Sequence, residues 1–172
     1  MDDILRISSA APWEPIFGYS RAVRAGEWVA VSGSTGLDEH GQLVGRGQIY
    51  VQTRQAIANI AAALGRLGLG LERVVRTRVY VTELDRFSDV ARAHQEMFGA
   101  APPASTVVQV TRLVHPDMLV EIEADAYAGP AATTATRPTA AVRAVPASKG
   151  RAPRKGAVTP AARPRRKSAR RR

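Results

Sequence analysis

The chain has 172 residues, 45% of them apolar, and no cysteine, which excludes a disulfide framework, thiolate chemistry and a zinc–thiolate site. Its formal charge of +10 is unevenly divided: residues 1–128 hold 12 Lys/Arg and all 15 Asp/Glu, a balance of −3, whereas residues 129–172 hold 13 Lys/Arg and no acid. No apolar run approaches the roughly 18–20 residues that span a bilayer, and Met1-Asp2-Asp3 is acidic, so a soluble cytoplasmic protein with no membrane partner is expected.

Ile4 to Ile7 reads as a short first strand. Tyr19 to Val23 and Trp28 to Val31 read as a hairpin across the turn-prone pair Ala25-Gly26, followed by a loop from Ser32 to Gly36. Ile49, Thr53, Ala56, Ile57, Ile60, Leu64 and Leu67 recur at steps of three and four, the pattern of a helix with one buried face. Gly65, Gly68 and Gly70 end that helix. Their spacing superficially suggests a phosphate loop, but they follow a helix and lack the Gly-Lys-Ser/Thr ending. Val74 to Thr82 is β-branched and strand-like. Asp85 is the expected N-cap of a second helix carrying Phe87, Val90, Ala91, His94, Met97 and Phe98 on one face. Gly99 and two prolines end it, and Thr106 to Val110 and Leu119 to Tyr127 close the domain as strands. The order β-β-β-α-β-α-β-β predicts a two-layer α+β domain with both helices on one face of a mixed sheet.

Domain organisation follows from composition. Residues 1–128 form the expected globular domain. From residue 129 onward large apolar side chains all but vanish in favour of Ala, Pro, Thr, Arg and Lys, so residues 129–172 are expected to be a disordered basic tail. Arg151, Arg154, Lys155, Arg163, Arg165, Arg166, Lys167, Arg170, Arg171 and Arg172 are its candidate nucleic-acid-binding residues. Their charges can neutralise phosphates and release counterions without reading sequence. No aromatic is interleaved for base stacking. A purely solubilising tail is the competing reading.

The run Pro102-Pro103-Ala104-Ser105-Thr106, then Val107 to Val110 and Leu119-Val120-Glu121-Ile122-Glu123-Ala124, resembles the C-terminal signature of the Rid family, the YjgF-like or endoribonuclease L-PSP-like reactive-intermediate deaminases. Gly18-Tyr19-Ser20-Arg21-Ala22-Val23 resembles the family's Pro-Tyr-Ser-Gln-Ala, and Trp28 to Gly33 its strand ending in Ser-Gly. The resemblance covers nearly all of residues 1–128. It implies a chorismate-mutase-like fold, a homotrimer, ligand clefts between subunits, and hydrolysis of small imines or enamines without metal or organic cofactor. It also implies three departures: Ser105 stands at the carboxylate-binding arginine, Ala91 at a cleft asparagine and His94 at a tyrosine.

On that resemblance Glu121 and Tyr19 are the catalytic candidates, and Ser105, Thr106, Ser32, Gly33 and His94 the substrate-binding ones. A carboxylate in a cleft can orient or activate water. Taken without the resemblance, Glu121 reads as one of three acids on the wet side of an alternating strand, Tyr19 as packing with a wet tip, and His94 as a core or interface histidine. No Ser-His-Asp arrangement can be argued for Ser105. His40, His94 and His115 lack ligand spacing, so no metal is expected; His40 and His115 read as surface residues. Two functions remain open: a metabolite-binding hydrolase of imines or enamines, and a non-catalytic ligand-binding module tethered to nucleic acid by its tail. No general acid–base pair supports a ribonuclease.

Overall fold

A computed structural model describes residues 4–9 and 11–129. The expected tail, with the ten basic residues named above, lies outside the described residues apart from Gly129. Six strands form one mixed sheet: β1 (Ile4–Ile7), β2 (Ala22–Ala25), β3 (Trp28–Ser34), β4 (Val74–Val81), β5 (Ala104–Gln109) and β6 (Val120–Tyr127), in the order β1-β2-β3-β6-β4-β5. Neighbours are antiparallel except β4 and β5, which run parallel. Three helices accompany them, α1 (Trp13–Phe17), α2 (Ile49–Gly65) and α3 (Phe87–Phe98).

The alternation of β-branched and polar residues divides the sheet into two faces. Val29 and Val31 of β3, Thr77, Val79 and Val81 of β4, and Ile122 and Ala124 of β6 are buried toward α2 and α3. The α2 stripe Ile49, Ala56, Ile57, Ile60 and Leu64 is fully buried against them. Each of its large side chains contributes about 1.5–3 kcal/mol of burial. Arg78, Tyr80, Glu121, Glu123 and Asp125 alternate onto the opposite, helix-free face. There Arg78 pairs with Glu123 at 3.3 Å and Asp125 at 3.1 Å, and Tyr80 donates to Glu123 at 3.0 Å.

Parallel strands cannot be joined by a tight turn, so the β4–β5 connection must cross the sheet. Helix α3 is that crossover. It lies over β4 and leaves edge strand β5 only partly covered, which opens the groove described below.

Several boundaries differ from the sequence reading. The short helix α1 was not expected; with Pro12 and Gly18 flanking it and Pro15 within it, the segment carries no helical periodicity. The hairpin turns at Gly26-Glu27, where Gly26 takes φ +61°, because Ala25 pairs with Trp28; Tyr19 precedes the strand. Strand β3 runs on to Ser34 through an irregularity between Val31 and Ser34, so Ser32, Gly33 and Ser34 are strand and not loop. Asp85 does not cap α3: it sits in a 3-10 turn, Leu84–Arg86, closed by Arg86 N–H donating to the Glu83 carbonyl, and no side chain caps the helix. Helix α2 ends before Leu67, which packs on the core from the turn beyond. β5 starts at Ala104 because parallel pairing recruits Ala104 and Ser105, opposite Arg76 and Thr77.

Candidate functional site

The groove between α3 and β5 has a volume of about 420 Å³, in the range of small-molecule sites. Val79 and Val107 form its floor, Phe87, Ala91, His94 and Phe98 one wall, and Pro102, Pro103 and Ser105 the other. Three positions that the family resemblance places in its cleft, Ala91, His94 and Ser105, thus share one groove. Thr77, fully buried on β4, links two of them: its Oγ1 lies 2.9 Å from Ser105 Oγ and 3.1 Å from His94 Nε2. The His94 ring also packs on Phe98, 4.6 Å between centroids. Burial holds the His94 pKa below its ordinary 6.5, so the ring is neutral at neutral pH.

Glu121 stands on the opposite face of the sheet. It is half-buried, and burial raises its pKa above the ordinary carboxylate value, with Arg21 pulling it down and Glu123 pushing it up. Glu123 and Asp125 are engaged by Arg78 and Tyr80. Glu121, by contrast, makes no hydrogen bond or ion pair among the described residues. Its side chain lies directly on Gly33: a Cβ there would stand 1.9 Å from Glu121 Oε1.

Arg21 assembles the surroundings. Its guanidinium donates to the carbonyls of Ser32 (3.2 Å) and Gly33 (2.7 Å), to Ser34 Oγ (3.0 Å) and to Tyr19 Oη (3.2 Å). The irregularity in β3 turns these carbonyls out of the ladder, and the arginine takes them up. Ser32 Oγ donates to the Ser20 carbonyl at 2.8 Å, so that hydroxyl fastens β3 to the segment before β2. Glu14, buried at 7% exposure, accepts from Ser8 Oγ, from Ser9 N–H (2.7 Å) and from Ser9 Oγ (2.6 Å), and so fixes α1 just ahead of Tyr19.

The predicted residues therefore form two groups on one chain. Ser105 and His94 line the groove on the helix side; Tyr19, Ser32, Gly33 and Glu121 gather around Arg21 on the other. Thr106 faces away from Ser105, opposite Arg78 in register, and belongs to neither. His40 and His115 are exposed. Among the described residues, no group of three or more His, Asp or Glu could hold a metal ion, and no helix is long and apolar enough to cross a membrane. Sequence reasoning missed Thr77 and Arg21. Their signals were present: Thr77 is a polar residue at an inward phase of an otherwise β-branched strand, and Arg21 replaces glutamine in the motif that carries the resemblance.

The chain is thus a two-layer α+β domain with a small-molecule-sized groove under its crossover helix and a half-buried carboxylate across the sheet. Residues 9–128 match the family model described as Endoribonuclease L-PSP, and on this match the chain belongs to that family, the Rid or YjgF family. It is 38% identical over 126 residues to an uncharacterized protein of Streptomyces coelicolor, covering 73% of this chain and 93% of that one. It is 34% identical over 133 residues to the 2-iminobutanoate/2-iminopropanoate deaminase of Mus musculus, covering 76% of this chain and 97% of the mouse protein. A crystal structure of a YjgF/YER057c/UK114 family member from Mycobacterium tuberculosis matches with a TM-score of 0.67 and 45% identity, covering 73% of this chain and 99% of that one.

Proposed function

We propose that this protein binds a small metabolite in clefts between subunits and hydrolyses an imine or enamine there. The observation that carries the proposal is the placement of the two candidate groups on opposite faces of one sheet. A single chain cannot close them around one ligand, whereas two copies can, with the groove of one facing the Glu121 wall of the other. Trp28, Val108 and Tyr127, exposed on the Glu121 face at 57%, 42% and 36%, favour such association.

The chemistry asked of the site is modest. Water adds to the carbon of the protonated imine and gives a proton to Glu121, forming the carbinolamine. Glu121 then returns that proton to the nitrogen, and the carbinolamine collapses to a carbonyl as ammonia leaves and takes up the hydroxyl proton; an enamine enters the same sequence after protonation at carbon makes it an iminium. A carboxylate whose pKa is raised by burial suits both the uptake and the return of that proton. Tyr19, held by Arg21 through its oxygen, keeps its own O–H for the ligand. The mouse relative, named for deamination of two imino acids, supports the reaction class.

A second reading is favoured by Ser105 at the position of the carboxylate-binding arginine: a non-catalytic ligand-binding module that its basic tail tethers to nucleic acid. The two readings are separated by ammonia release from a panel of freshly generated imines, 2-iminopropionate and uncharged ones included, for wild type and Glu121→Ala, with the subunit number measured by light scattering. Faster release by wild type supports the hydrolase. Equal rates for all imines leave the binding module.

A further inference from the structure

We propose that the groove between α3 and β5 selects an uncharged ligand, an apolar or ring-shaped body carrying one neutral amide-like polar group, which is read by a hydrogen-bond relay from His94 through Thr77 to Ser105. The inference rests on the reading of this groove as the ligand site and names the class of ligand it takes.

Charge comes first. The lining residues include no Lys, Arg, Asp or Glu. The histidine among them is kept neutral by burial. A carboxylate entering this groove would lose its hydration and meet no cation, and a desolvated unpaired charge is the costliest group to bury. On the opposite wall Glu121 is itself an acid, and Arg21 is committed to Ser32, Gly33, Ser34 and Tyr19. The cation there, Arg112, shares a hollow with Glu121 and not with the α3–β5 groove.

Val79, Phe87, Val90, Phe98, Val107 and the two prolines give the groove an apolar surface. Its polar side chains are His94, Gln95 and Ser105, all uncharged, and two of them, Ser105 and His94, are joined through Thr77. That chain of three can run in either direction. With the proton on His94 Nε2, the ring donates to Thr77, Thr77 donates to Ser105, and the Ser105 O–H is free to donate outward. With Nε2 bare, Thr77 donates to the ring, Ser105 donates to Thr77, and Ser105 Oγ presents a lone pair. A neutral imidazole has both tautomers. Ser105 can therefore meet a carbonyl oxygen or an N–H, and the relay discriminates by charge and not by donor or acceptor. Thr77 is a positioning residue in this scheme.

The test uses the full chain and two probes of matched ring, benzamide and benzoate, titrated at salt high enough to screen surface charge and followed by the His94 ring resonances. Benzamide is expected to move those resonances with a Kd at least about tenfold below that of benzoate. Ser105→Arg should reverse the order. Thr77→Val should abolish the preference for benzamide over toluene, and Thr77→Ser should restore it, a pattern that a change in packing alone does not produce. Benzoate binding as tightly as benzamide, or neither probe moving His94, would overturn the proposal. Binding is read without turnover, so a protein that prefers benzamide yet hydrolyses no imine keeps the ligand class and loses the hydrolase.

Discussion

The carboxylate of Glu121 lies in the space that a side chain at Gly33 would fill. The required glycine follows from this contact and not from backbone strain, because Gly33 does not take a positive φ. Gly33→Ala is therefore expected to leave the sheet intact and to swing the carboxylate away. Overpacking of this kind costs about 1–3 kcal/mol. Hydrolytic activity should fall by about tenfold or more, since displacement of a reacting group by an ångström has that effect. Circular dichroism together with ammonia release checks it; full activity in a folded Gly33→Ala protein would remove Glu121 from the mechanism.

Glu121→Gln separates stability from activity. The folded-state pKa of Glu121 is raised, so its proton binds more tightly in the folded protein. Its favourable contribution is present below the ordinary pKa of 4.5 and is lost as pH rises through the folded value. At neutral pH the ionised side chain is thus a net cost. Glu121→Gln should melt higher than wild type at pH 7, with the difference shrinking on acidification, and should have no hydrolytic activity. Melting curves at several pH values read the first effect; a variant that melts lower at pH 7 would contradict the assigned desolvation.

Arg21 acts on the same carboxylate from a distance and on Tyr19 directly. Its charge lowers the Glu121 pKa against the effect of burial. Replacing it with the glutamine of the resembling motif should move the acid limb of the pH–rate profile upward and release the Tyr19 hydroxyl. Arg21→Lys should repair the pH limb in part but not the Tyr19 contact, because one ammonium cannot reproduce a planar fork bonded to four groups. Unchanged profiles in both variants would reduce Arg21 to a brace for β3.

Much of this was legible in the sequence, and the rest was hidden for identifiable reasons. Periodicity placed α2, α3 and the long strands because their buried stripes are regular. It missed α1, which is five residues long and is held by Glu14 accepting from Ser8 and Ser9, a contact that no period encodes. Family resemblance put Ser105, His94 and Ala91 in one groove. Resemblance could not supply Thr77, whose role appears only when β4 and β5 pair in parallel with Thr77 opposite Ser105. Nor could spacing reveal that Glu121, alone among the three acids of β6, makes no hydrogen bond or ion pair among the described residues. That distinction belongs to Arg78 and Tyr80 on the neighbouring strand.

The groove histidine predicts its own titration. His94 loses hydration on folding, so its folded pKa lies below 6.5. Between those two values the unfolded chain binds more protons than the folded one, and stability must fall as the pH drops through this window. His94→Gln should flatten that part of the stability curve. A His94 ring titrating above 6.5 by NMR would mean that an acid reaches it, and the uncharged groove would have to be abandoned.

Residues 129–172 carry 13 Lys/Arg and no acid. If the domain ends near residue 128, deleting the segment should leave melting temperature, subunit number and imine hydrolysis unchanged. Duplex DNA binding should disappear with it. In the full chain, binding should weaken steeply with salt, since each phosphate neutralised contributes a slope of about −0.9 to log K against log salt. Association of subunits would multiply the effect, because tails on one body act on one duplex as linked sites. A salt-insensitive affinity, or one that survives the deletion, would place nucleic-acid binding on the domain instead. The basic segment would then be left with solubility as its remaining role.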